Sequence, residues 1–248
     1  MPPQDRLPTE DHGAASDQRA PEDPSGGDAR ATRTYRQIRF VAPADATEIV
    51  LVRHGESAPA DPQRPFPLVD GRGDPELSPN GWQQAERVAT RLASSAISAV
   101  YVTSLRRTAE TAAPLTKQLG LEPAVEPDLS EVHLGAWEGG LYRQRIAEAD
   151  PLAMQIFEQE RWDLIPGAET NDAVGARVRG AIDRIAARHR GARVAVFAHG
   201  GTIGATLALA TGSRPFAFIG SDNGAISTIF VTGERWLLRG FNDRSHLD

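Results

Sequence analysis

Two apolar segments of this chain each end in a histidine followed by a glycine. Residues 49–55 are Ile-Val-Leu-Val-Arg-His-Gly, and residues 192–200 are Ala-Arg-Val-Ala-Val-Phe-Ala-His-Gly. Short apolar runs are typical of buried strands, and in open parallel sheets ligands bind outside the carboxyl ends of the strands. Because two of the six histidines, His54 and His199, occupy equivalent positions, we predict that they belong to one site. The alternative is two unrelated buried histidines at strand ends.

An arginine and two histidines at strand ends fit the chemistry of phosphoryl transfer. A phosphoryl group carries negative charge on its oxygens, so catalysis of its transfer is mostly positioning and charge stabilisation, with a nucleophile in line. The neutral imidazole of His54 can attack phosphorus while its second nitrogen bonds to a backbone carbonyl, and Gly55 allows that close approach. Arg53 and His199 can bind the phosphoryl oxygens. These groups are therefore able to form a covalent phosphohistidine at His54.

The composition excludes several other chemistries. The chain of 248 residues has no cysteine, which excludes disulfides and a thiol nucleophile, and Lys117 is its one lysine, which leaves Schiff-base chemistry almost no candidate. A net charge of −6 argues against non-specific binding to nucleic acid or to an anionic membrane. No run of about 18 apolar residues and no hydrophobic segment of secretory type occur, so we expect a cytoplasmic protein without a membrane span.

The motifs around both histidines resemble those of a known family. Leu-Val-Arg-His-Gly-Glu-Ser at residues 51–57 and Ala-His-Gly-Gly at residues 198–201 resemble motifs of the histidine phosphatase superfamily, also called phosphoglycerate mutase-like. The resemblance runs from about Thr47 to Asn242. It implies an α/β fold, a three-layer α/β/α sandwich with a mostly parallel central sheet, which the alternating strand and helix patterns also favour. It further implies a phosphatase that acts on a small-molecule phosphate ester.

Two further motifs add an arginine and a carboxylate. Thr-Ser-Leu-Arg-Arg-Thr-Ala-Glu-Thr-Ala at residues 103–112 is similar to the family's Ser-x-Leu-x-Arg-Ala-x-x-Thr-Ala, which implies that Arg107, not Arg106, binds phosphate. The alternative for Arg107 is a solvated arginine in a first helical turn, a position that prefers acidic residues. Leu-Ser-Glu-Val-His-Leu-Gly-Ala-Trp-Glu-Gly at residues 129–139 is similar to Leu-x-Glu-x-x-x-Gly-x-Trp-Glu-Gly, which implies that Glu131 is the proton donor.

These motifs together give a complete predicted site. Glu131 would protonate the leaving alkoxide and then activate the water that hydrolyses the phosphohistidine. With arginines and a histidine to hold the oxygens, the reaction needs no metal and no cofactor. The predicted catalytic residues are His54, Glu131, His199, Arg53 and Arg107, and the predicted phosphate-binding residues are Arg53, Ser57, Arg107, His199 and Gly200.

Residues beside the motifs receive supporting roles. Glu56 is predicted to pair with an arginine rather than to act as a catalyst. His133 is predicted to lie at the pocket edge or to serve the structure, and Trp137 to belong to the core. The Ser-Pro pair at residues 78–79 is typical of a helix start, and the helical spacing that follows predicts a buried face that includes Trp82.

The composition predicts two parts in the chain. Residues 1–34 lack Val, Ile, Phe, Trp and Tyr, so they cannot bury enough apolar area to offset the entropy of ordering, which predicts a disordered tail. A spacer or a mis-assigned start site is favoured for it over a partner-binding segment. Residues 35–248 are predicted to form the catalytic domain, beginning with an edge strand or packed arm at residues 35–41. A helical cap is predicted as an insertion at about residues 141–165.

Phosphatase activity is favoured over phosphoglycerate mutase activity. Mutases that resemble this chain carry Trp-Asn soon after the first motif and Asn after the second His-Gly, whereas this chain has Ala-Pro-Ala at residues 58–60 and a glycine at Gly201. These departures remove polar or bulky groups that would surround a bound phosphoglycerate. A second acidic group on the substrate can still be held by the arginines of the cap, Arg143, Arg145 or Arg161.

Two other classes of function stay open as alternatives. A metallohydrolase would need a cluster of ligands, and no His-x-His or His-x-x-x-His spacing occurs. A catalytically inactive family member that only binds phosphorylated ligands is disfavoured because all the expected catalytic residues match. The sequence leaves open the physiological substrate and the oligomeric state, with a homodimer included.

Overall fold

The computed structural model describes residues 35–248, so the predicted disordered tail of residues 1–34 lies outside the described residues. The chain divides into two compact units, Met1–Phe40 and Val41–Asp248. Every helix and strand of the described residues belongs to the second unit. The elements that position the candidate site are therefore all found in Val41–Asp248.

The segment just after the undescribed residues differs from its prediction. Residues 35–41 contain neither helix nor strand. The side chains of Tyr35, Ile38 and Val41 are 82%, 89% and 82% exposed. The predicted edge strand is therefore wrong, since residues 35–41 form no strand.

Val41–Asp248 contains eight strands and six α-helices. The strands are β1 (Thr47–Arg53), β2 (Leu68–Val69), β3 (Arg72–Gly73), β4 (Ile97–Val102), β5 (Ala124–Val125), β6 (Arg193–Ala198), β7 (Ile226–Thr232) and β8 (Arg235–Asp243). The helices are α1 (Pro79–Leu92), α2 (Arg106–Leu119), α3 (Leu141–Ala147), α4 (Pro151–Gln159), α5 (Asn171–Arg188) and α6 (Gly200–Thr211). None of the helices in the described part of the chain is both long and apolar enough to cross a membrane.

The central sheet has six strands in the order β5-β4-β6-β1-β7-β8. The first four run parallel, whereas β7 runs antiparallel to β1 and forms an antiparallel hairpin with β8 around the turn at residues 233–234. In the parallel pairing of β1 with β6, Arg53 lies opposite Ala198. The residues that follow each strand are His54 and His199, so the register of this one pair brings the two histidines together.

The sheet is covered by helices on both faces, which confirms the three-layer prediction. Ile49 and Leu51 of β1 pack in one core cluster with α5 and α6, whereas Val50 and Val52 pack in the other with α1 and α2. Successive side chains of a strand point to opposite faces. A central strand buried on both faces must therefore be apolar at every position, which explains the unbroken run before Arg53.

Helix α1 begins as predicted but exposes its tryptophan. Ser78 is the N-cap, since its side chain accepts a hydrogen bond from the Gly81 N–H. Trp82 is 42% exposed, so its predicted burial is wrong. The helix instead packs through Gly81, where an added Cβ would lie only 2.0 Å from the carbonyl oxygen of Glu56. The buried face of the helix consists of Gly81, Ala85, Val88, Ala89 and Leu92, so it begins with the glycine and not with Trp82.

Residues 141–165 contain the predicted helices. Helices α3 and α4 are followed by a 3₁₀ turn at Trp162–Leu164. Ile156 and Ile165 are buried in the core cluster shared with α5 and α6. Some side chains of residues 141–165 therefore pack in the core beside the central sheet, and other side chains of the same segment face the candidate site.

Candidate active site

The carboxyl ends of β1 and β6 form the floor of a pocket of about 320 Å³. The His54 N–H donates to the Ala198 carbonyl oxygen at 3.0 Å, which extends the parallel pairing by one residue. Both imidazoles are buried, and their ring centroids lie 5.2 Å apart. Of the predicted residues, the pocket lining includes Arg53, His54, Arg107, Glu131 and Gly200.

The imidazole of His54 is held in an orientation that suits a nucleophile. Its Nδ1 lies 2.7 Å from the carbonyl oxygen of Gly55, so the proton belongs on Nδ1 and Nε2 keeps its lone pair. Burial, followed by the charges of Arg107 and Arg53, holds the pKa of His54 well below its usual value. The ring is therefore neutral at pH 7, as attack on phosphorus requires. Gly55 is required by packing, since a Cβ there would lie 2.6 Å from the Gly81 carbonyl oxygen.

Arg53 and Arg107 present cationic groups to the pocket. Arg53 Nη1 donates to the Ser221 carbonyl oxygen, and Arg107 Nη1 donates to the Gly73 carbonyl oxygen at 2.9 Å. The Nε of each guanidinium is buried without a hydrogen-bond partner. Burial lowers the pKa of Arg107 to about 10, which leaves it charged at pH 7. A buried cation with an unused donor is a ready partner for a phosphoryl oxygen, and the solvated alternative for Arg107 does not hold.

His199 is fully buried behind the pocket surface. Its Nε2 lies 2.9 Å from Thr103 Oγ1, which itself lies 3.1 Å from Thr108 Oγ1. Its Nδ1 is buried without a partner, and burial followed by the charge of Arg107 holds its pKa well below the usual value. Both threonines depart from the family's motif, and both act in fixing this ring. The sequence did not assign them a role, although their position within the Arg107 motif was a usable signal.

Glu131 projects its carboxylate toward the start of α6. Glu131 Oε1 accepts from the N–H of Val132 at 2.9 Å and from the N–H of Gly201 at 3.1 Å. An added Cβ at Gly201 would lie 2.5 Å from that oxygen, so the glycine lets the carboxylate approach the start of α6 closely. The first turn of α6 also presents the Gly200 backbone to the pocket. A carboxylate, two arginines and two histidines thus converge on one edge of the sheet.

Two motif residues contact partners other than those predicted. Ser57 is absent from the pocket lining, and its Oγ accepts from Arg143 Nη2 at 2.7 Å. Glu56 forms no ion pair with an arginine within the described residues, so that prediction is wrong. Its carboxylate accepts from Ser78 Oγ at 3.0 Å and from Asn80 Nδ2 at 2.7 Å, because the backbone turn after His54 directs it to the start of α1.

Near Glu131, His133 was predicted to lie at the pocket edge or to serve the structure, and Trp137 to belong to the core. His133 Nδ1 accepts from the Gly135 N–H at 3.3 Å and does not line the pocket. Trp137 is 6% exposed and belongs to the core cluster, and it also contributes to the pocket wall. The side chain of Trp137 therefore belongs both to the hydrophobic core and to the wall of the pocket.

The structure separates the three arginines of residues 141–165. Arg143 lines the pocket, donates to the Ala58 carbonyl oxygen at 2.8 Å, and lies 5.2 Å from the ring centroid of Phe66. Arg145 pairs with an aspartate at 3.0 Å and Arg161 pairs with another at 2.6 Å, and neither lines the pocket. Arg72 also lines the pocket, and the sequence missed it. Its place in a Gly-Arg-Gly turn of the loop after β1 was the only signal.

A metal site has no support in the geometry of the described residues. Across residues 35–248, no group of three or more His, Asp or Glu side chains is arranged to hold a metal ion. The metallohydrolase alternative therefore lacks a set of ligands in this part of the chain.

The chain is similar in sequence and structure to known phosphatases and to a phosphoglycerate mutase-like protein. Phosphoglycerate mutase-like protein 4 of Arabidopsis thaliana is 36% identical over 209 residues, covering 82% of this chain and 88% of its own. The metal-independent phosphoserine phosphatase of the same plant is 34% identical over 209 residues, covering 82% and 84%. The solved structure of a mycobacterial glucosyl-3-phosphoglycerate phosphatase superposes with a TM-score of 0.66 at 27% identity, covering 79% of this chain and 98% of that one.

These relatives support phosphatase activity, and the family follows from a match to most of the chain. The family model described as histidine phosphatase superfamily (branch 1) matches residues 49–244. This range includes both histidine motifs, the segment around Arg107 and the segment around Glu131. The match and the convergence of these residues at one sheet edge establish that the chain belongs to the histidine phosphatase superfamily.

Proposed function

We propose that this chain is a phosphomonoesterase that hydrolyses a small phosphorylated metabolite through a phosphohistidine on His54. The observation that carries the proposal is the state of that imidazole. It is buried and neutral, its Nδ1 is bonded to the Gly55 carbonyl oxygen, and it lies beside two arginines with unused Nε donors. A neutral nucleophile among fixed cations suits attack on an anionic phosphoryl group.

In the first half of the reaction, the phosphoryl group passes to the histidine. Nε2 of His54 attacks phosphorus in line, and the bond from phosphorus to the ester oxygen breaks. Glu131, entering as the carboxylic acid, gives its proton to that departing oxygen, so the product leaves as an alcohol. Arg53 and Arg107 bind the phosphoryl oxygens, and the buried Nδ1 of His199 and the backbone at Gly200 offer further donors.

In the second half, water takes the phosphoryl group. The Glu131 carboxylate accepts a proton from a water molecule as its oxygen attacks phosphorus. The bond from phosphorus to Nε2 breaks, inorganic phosphate leaves, and both side chains return to their starting protonation states. The arginines supply the charge stabilisation throughout, so the proposal includes no metal ion and no cofactor.

Hydrolysis, rather than transfer back to the substrate, is supported by Gly201. Mutases that resemble this chain carry an asparagine there, whereas Gly201 leaves that space to the Glu131 carboxylate, whose oxygen lies 2.5 Å from where a Cβ would be. The phosphatase relatives named above point the same way. Residues 141–165 are proposed to act as the cap of the substrate pocket, since Tyr142, Arg143 and Trp162 line it. Residues 35–248 are proposed as the catalytic domain.

The deciding experiment supplies the purified protein with two substrates. One arm contains 3-phosphoglycerate with and without 2,3-bisphosphoglycerate, and the other contains a simple aryl phosphate. Release of phosphate from the aryl ester with negligible isomerisation is expected. Isomerisation that exceeds hydrolysis by tenfold or more, about 1.4 kcal/mol in barrier height, would assign a mutase. Absence of turnover in both arms, with phosphate bound, would assign a non-catalytic binding protein.

A further inference from the structure

We propose that Arg177 and Glu169 are positioning residues for Glu131, holding it by its main chain so that its carboxyl group meets the leaving oxygen. The inference rests on the proposed role of Glu131 as proton donor. Neither residue lines the pocket, so any effect on catalysis must pass through the loop that carries Glu131. The geometry of this contact network indicates that it controls one specific step, proton transfer to the leaving group.

Arg177, on α5, uses all its donors within the protein. Nη1 donates to the carbonyl oxygens of Asp128 and Ser130, each at 2.7 Å, and Nη2 donates to that of Glu131 at 3.2 Å. The remaining donors bind Glu169 from Nε at 2.8 Å and from Nη2 at 2.9 Å. One guanidinium therefore fixes three carbonyl groups of the loop that ends at the proton donor. Binding all these oxygen atoms at once requires the planar guanidinium group with its five N–H donors, whereas the ammonium group of lysine has only three.

Glu169 completes the network from the opposite side. It accepts from the His133 N–H at 2.7 Å and from Arg72 Nη2 at 3.3 Å, in addition to Arg177. Burial alone would raise the pKa of Glu169, but the bonds from Arg177 and His133 lower it overall. Arg72 Nε in turn donates to the Glu131 carbonyl oxygen at 2.6 Å. The Glu131 carbonyl oxygen therefore accepts hydrogen bonds from both Arg72 and Arg177, and these two arginines share the Glu169 carboxylate.

The position of the Glu131 side chain depends on these main-chain hydrogen bonds, because its carboxylate makes few contacts of its own. Its carboxylate accepts from Val132 and Gly201, both main-chain N–H groups. The bond to Gly201 crosses from the loop to the start of α6, so a small shift of the loop would lengthen it and move the acid relative to His54. Positioned acids lose much of their effect when displaced by an ångström. The loop contacts of Arg177 oppose such a shift.

The consequence is a dependence on the leaving group. An alkoxide leaving group needs a proton in the transition state, whereas p-nitrophenolate leaves well without one. We expect Arg177→Lys to lower kcat/KM for an alkyl phosphate such as 3-phosphoglycerate by about tenfold to a hundredfold, a part of the usual effect of a general acid. For p-nitrophenyl phosphate the loss is expected to stay within about threefold, since kcat/KM reports only the first phosphoryl transfer.

The test compares four variants with both substrates, each after its melting temperature is recorded. Glu169→Gln keeps the shape and removes the charge, and it serves if Arg177→Lys does not fold. Arg184→Lys is the matched control, because Arg184 lies on the same helix and pairs with the side chains of Glu126 and Asp128 rather than with the carbonyl oxygens that Arg177 binds. Glu131→Gln defines the effect of losing the acid itself and is expected to show the largest difference between the two substrates.

Each outcome has one meaning. A selective loss for the alkyl ester in Arg177→Lys or Glu169→Gln, absent in Arg184→Lys, supports the inference. An equal loss for both substrates, with Glu131→Gln still selective, shows that the network only stabilises the fold and overturns the inference alone. If Glu131→Gln shows no selectivity, the proposed proton donor is wrong and the inference falls with it.

Discussion

The imidazole rings of His54 and His199 lie with their centroids 5.2 Å apart and their planes at 59°. They belong to adjacent parallel strands whose register places Arg53 opposite Ala198. Each ring is oriented by a different partner, Gly55 for one and Thr103 for the other. The two rings therefore have distinct environments: His54 lines the pocket with its Nδ1 bonded to Gly55, whereas His199 is fully buried with its Nδ1 unpartnered.

The assignment of the nucleophile predicts where phosphate is trapped. Rapid quenching without acid during turnover, followed by peptide mapping, should place a phosphoryl group on His54. His54→Asn should lower turnover by about a thousandfold or more, because loss of a nucleophile removes the whole pathway. His246→Asn, which changes a histidine outside the pocket, is the control and should keep turnover. Label on His199 would reverse the two roles.

The set of cationic groups predicts the response to inhibitors. Vanadate should inhibit strongly, since it adopts the trigonal-bipyramidal geometry of phosphoryl transfer, and the arginines with His199 can bind its oxygens. Prolonged treatment with EDTA should leave turnover unchanged, because the arginines provide the charge stabilisation. Both effects are measured as initial rates on an aryl phosphate. Activity that disappears in EDTA and returns with a divalent metal would contradict the proposed mechanism.

The separation of the arginines predicts which one selects substrates. Arg143 lines the pocket, has no carboxylate within 4.0 Å among the described residues, and can bind a second anionic group of the substrate. Arg143→Gln should lower kcat/KM for a phosphate ester with a carboxylate by roughly tenfold to a hundredfold relative to a neutral ester, the effect of one charge-assisted hydrogen bond. Arg161→Gln should leave the ratio of these two kcat/KM values unchanged. Equal effects of both substitutions would argue against the subsite.

The contact between α1 and the turn after His54 predicts a sharp requirement for glycine. Gly81→Ala places a Cβ 2.0 Å from the Glu56 carbonyl oxygen, so we expect a loss of about 1–3 kcal/mol in the free energy of unfolding and a parallel loss of turnover. Gly175→Ala on α5 is the matched control, because its nearest neighbour lies 3.9 Å away. That change should be neutral or stabilise by up to about 1 kcal/mol. Urea unfolding of both variants measures the two changes in the free energy of unfolding.

The buried histidines predict acid sensitivity of folding. Burial lowers the pKa of His54 and of His199 well below the unfolded value, so the unfolded chain binds more protons as the pH falls. Their stabilising contribution is complete above pH ~6.5 and declines below it, by up to about 1.4 kcal/mol per pH unit for each ring. Urea midpoints at pH 7.5, 6.0 and 5.0 should follow this slope. His199→Gln should decline less steeply than the native chain, and an unchanged slope would contradict it.

The sequence by itself determined the parts that depend on local pattern. The apolar run of β1 predicts a strand buried on both faces, since each face of a central strand must contact a helix layer. Ser78 predicts the start of α1 because an N-cap is a local interaction. The motifs named His54, Arg107 and Glu131 as one site, and the structure places all of them on the lining of one pocket.

Only the tertiary structure decided which long side chains reach that pocket. Arg143 and Arg145 are two residues apart on α3, yet one lines the pocket and the other pairs with an aspartate, because a helix turns its side chains by 100° per residue. Glu56 binds the start of α1 instead of an arginine, since the packing of Gly81 brings that helix against its backbone. Arg177 reaches the loop of Glu131 across 46 residues of chain. Contacts of this range depend on how the layers pack, and no local period in the sequence encodes them.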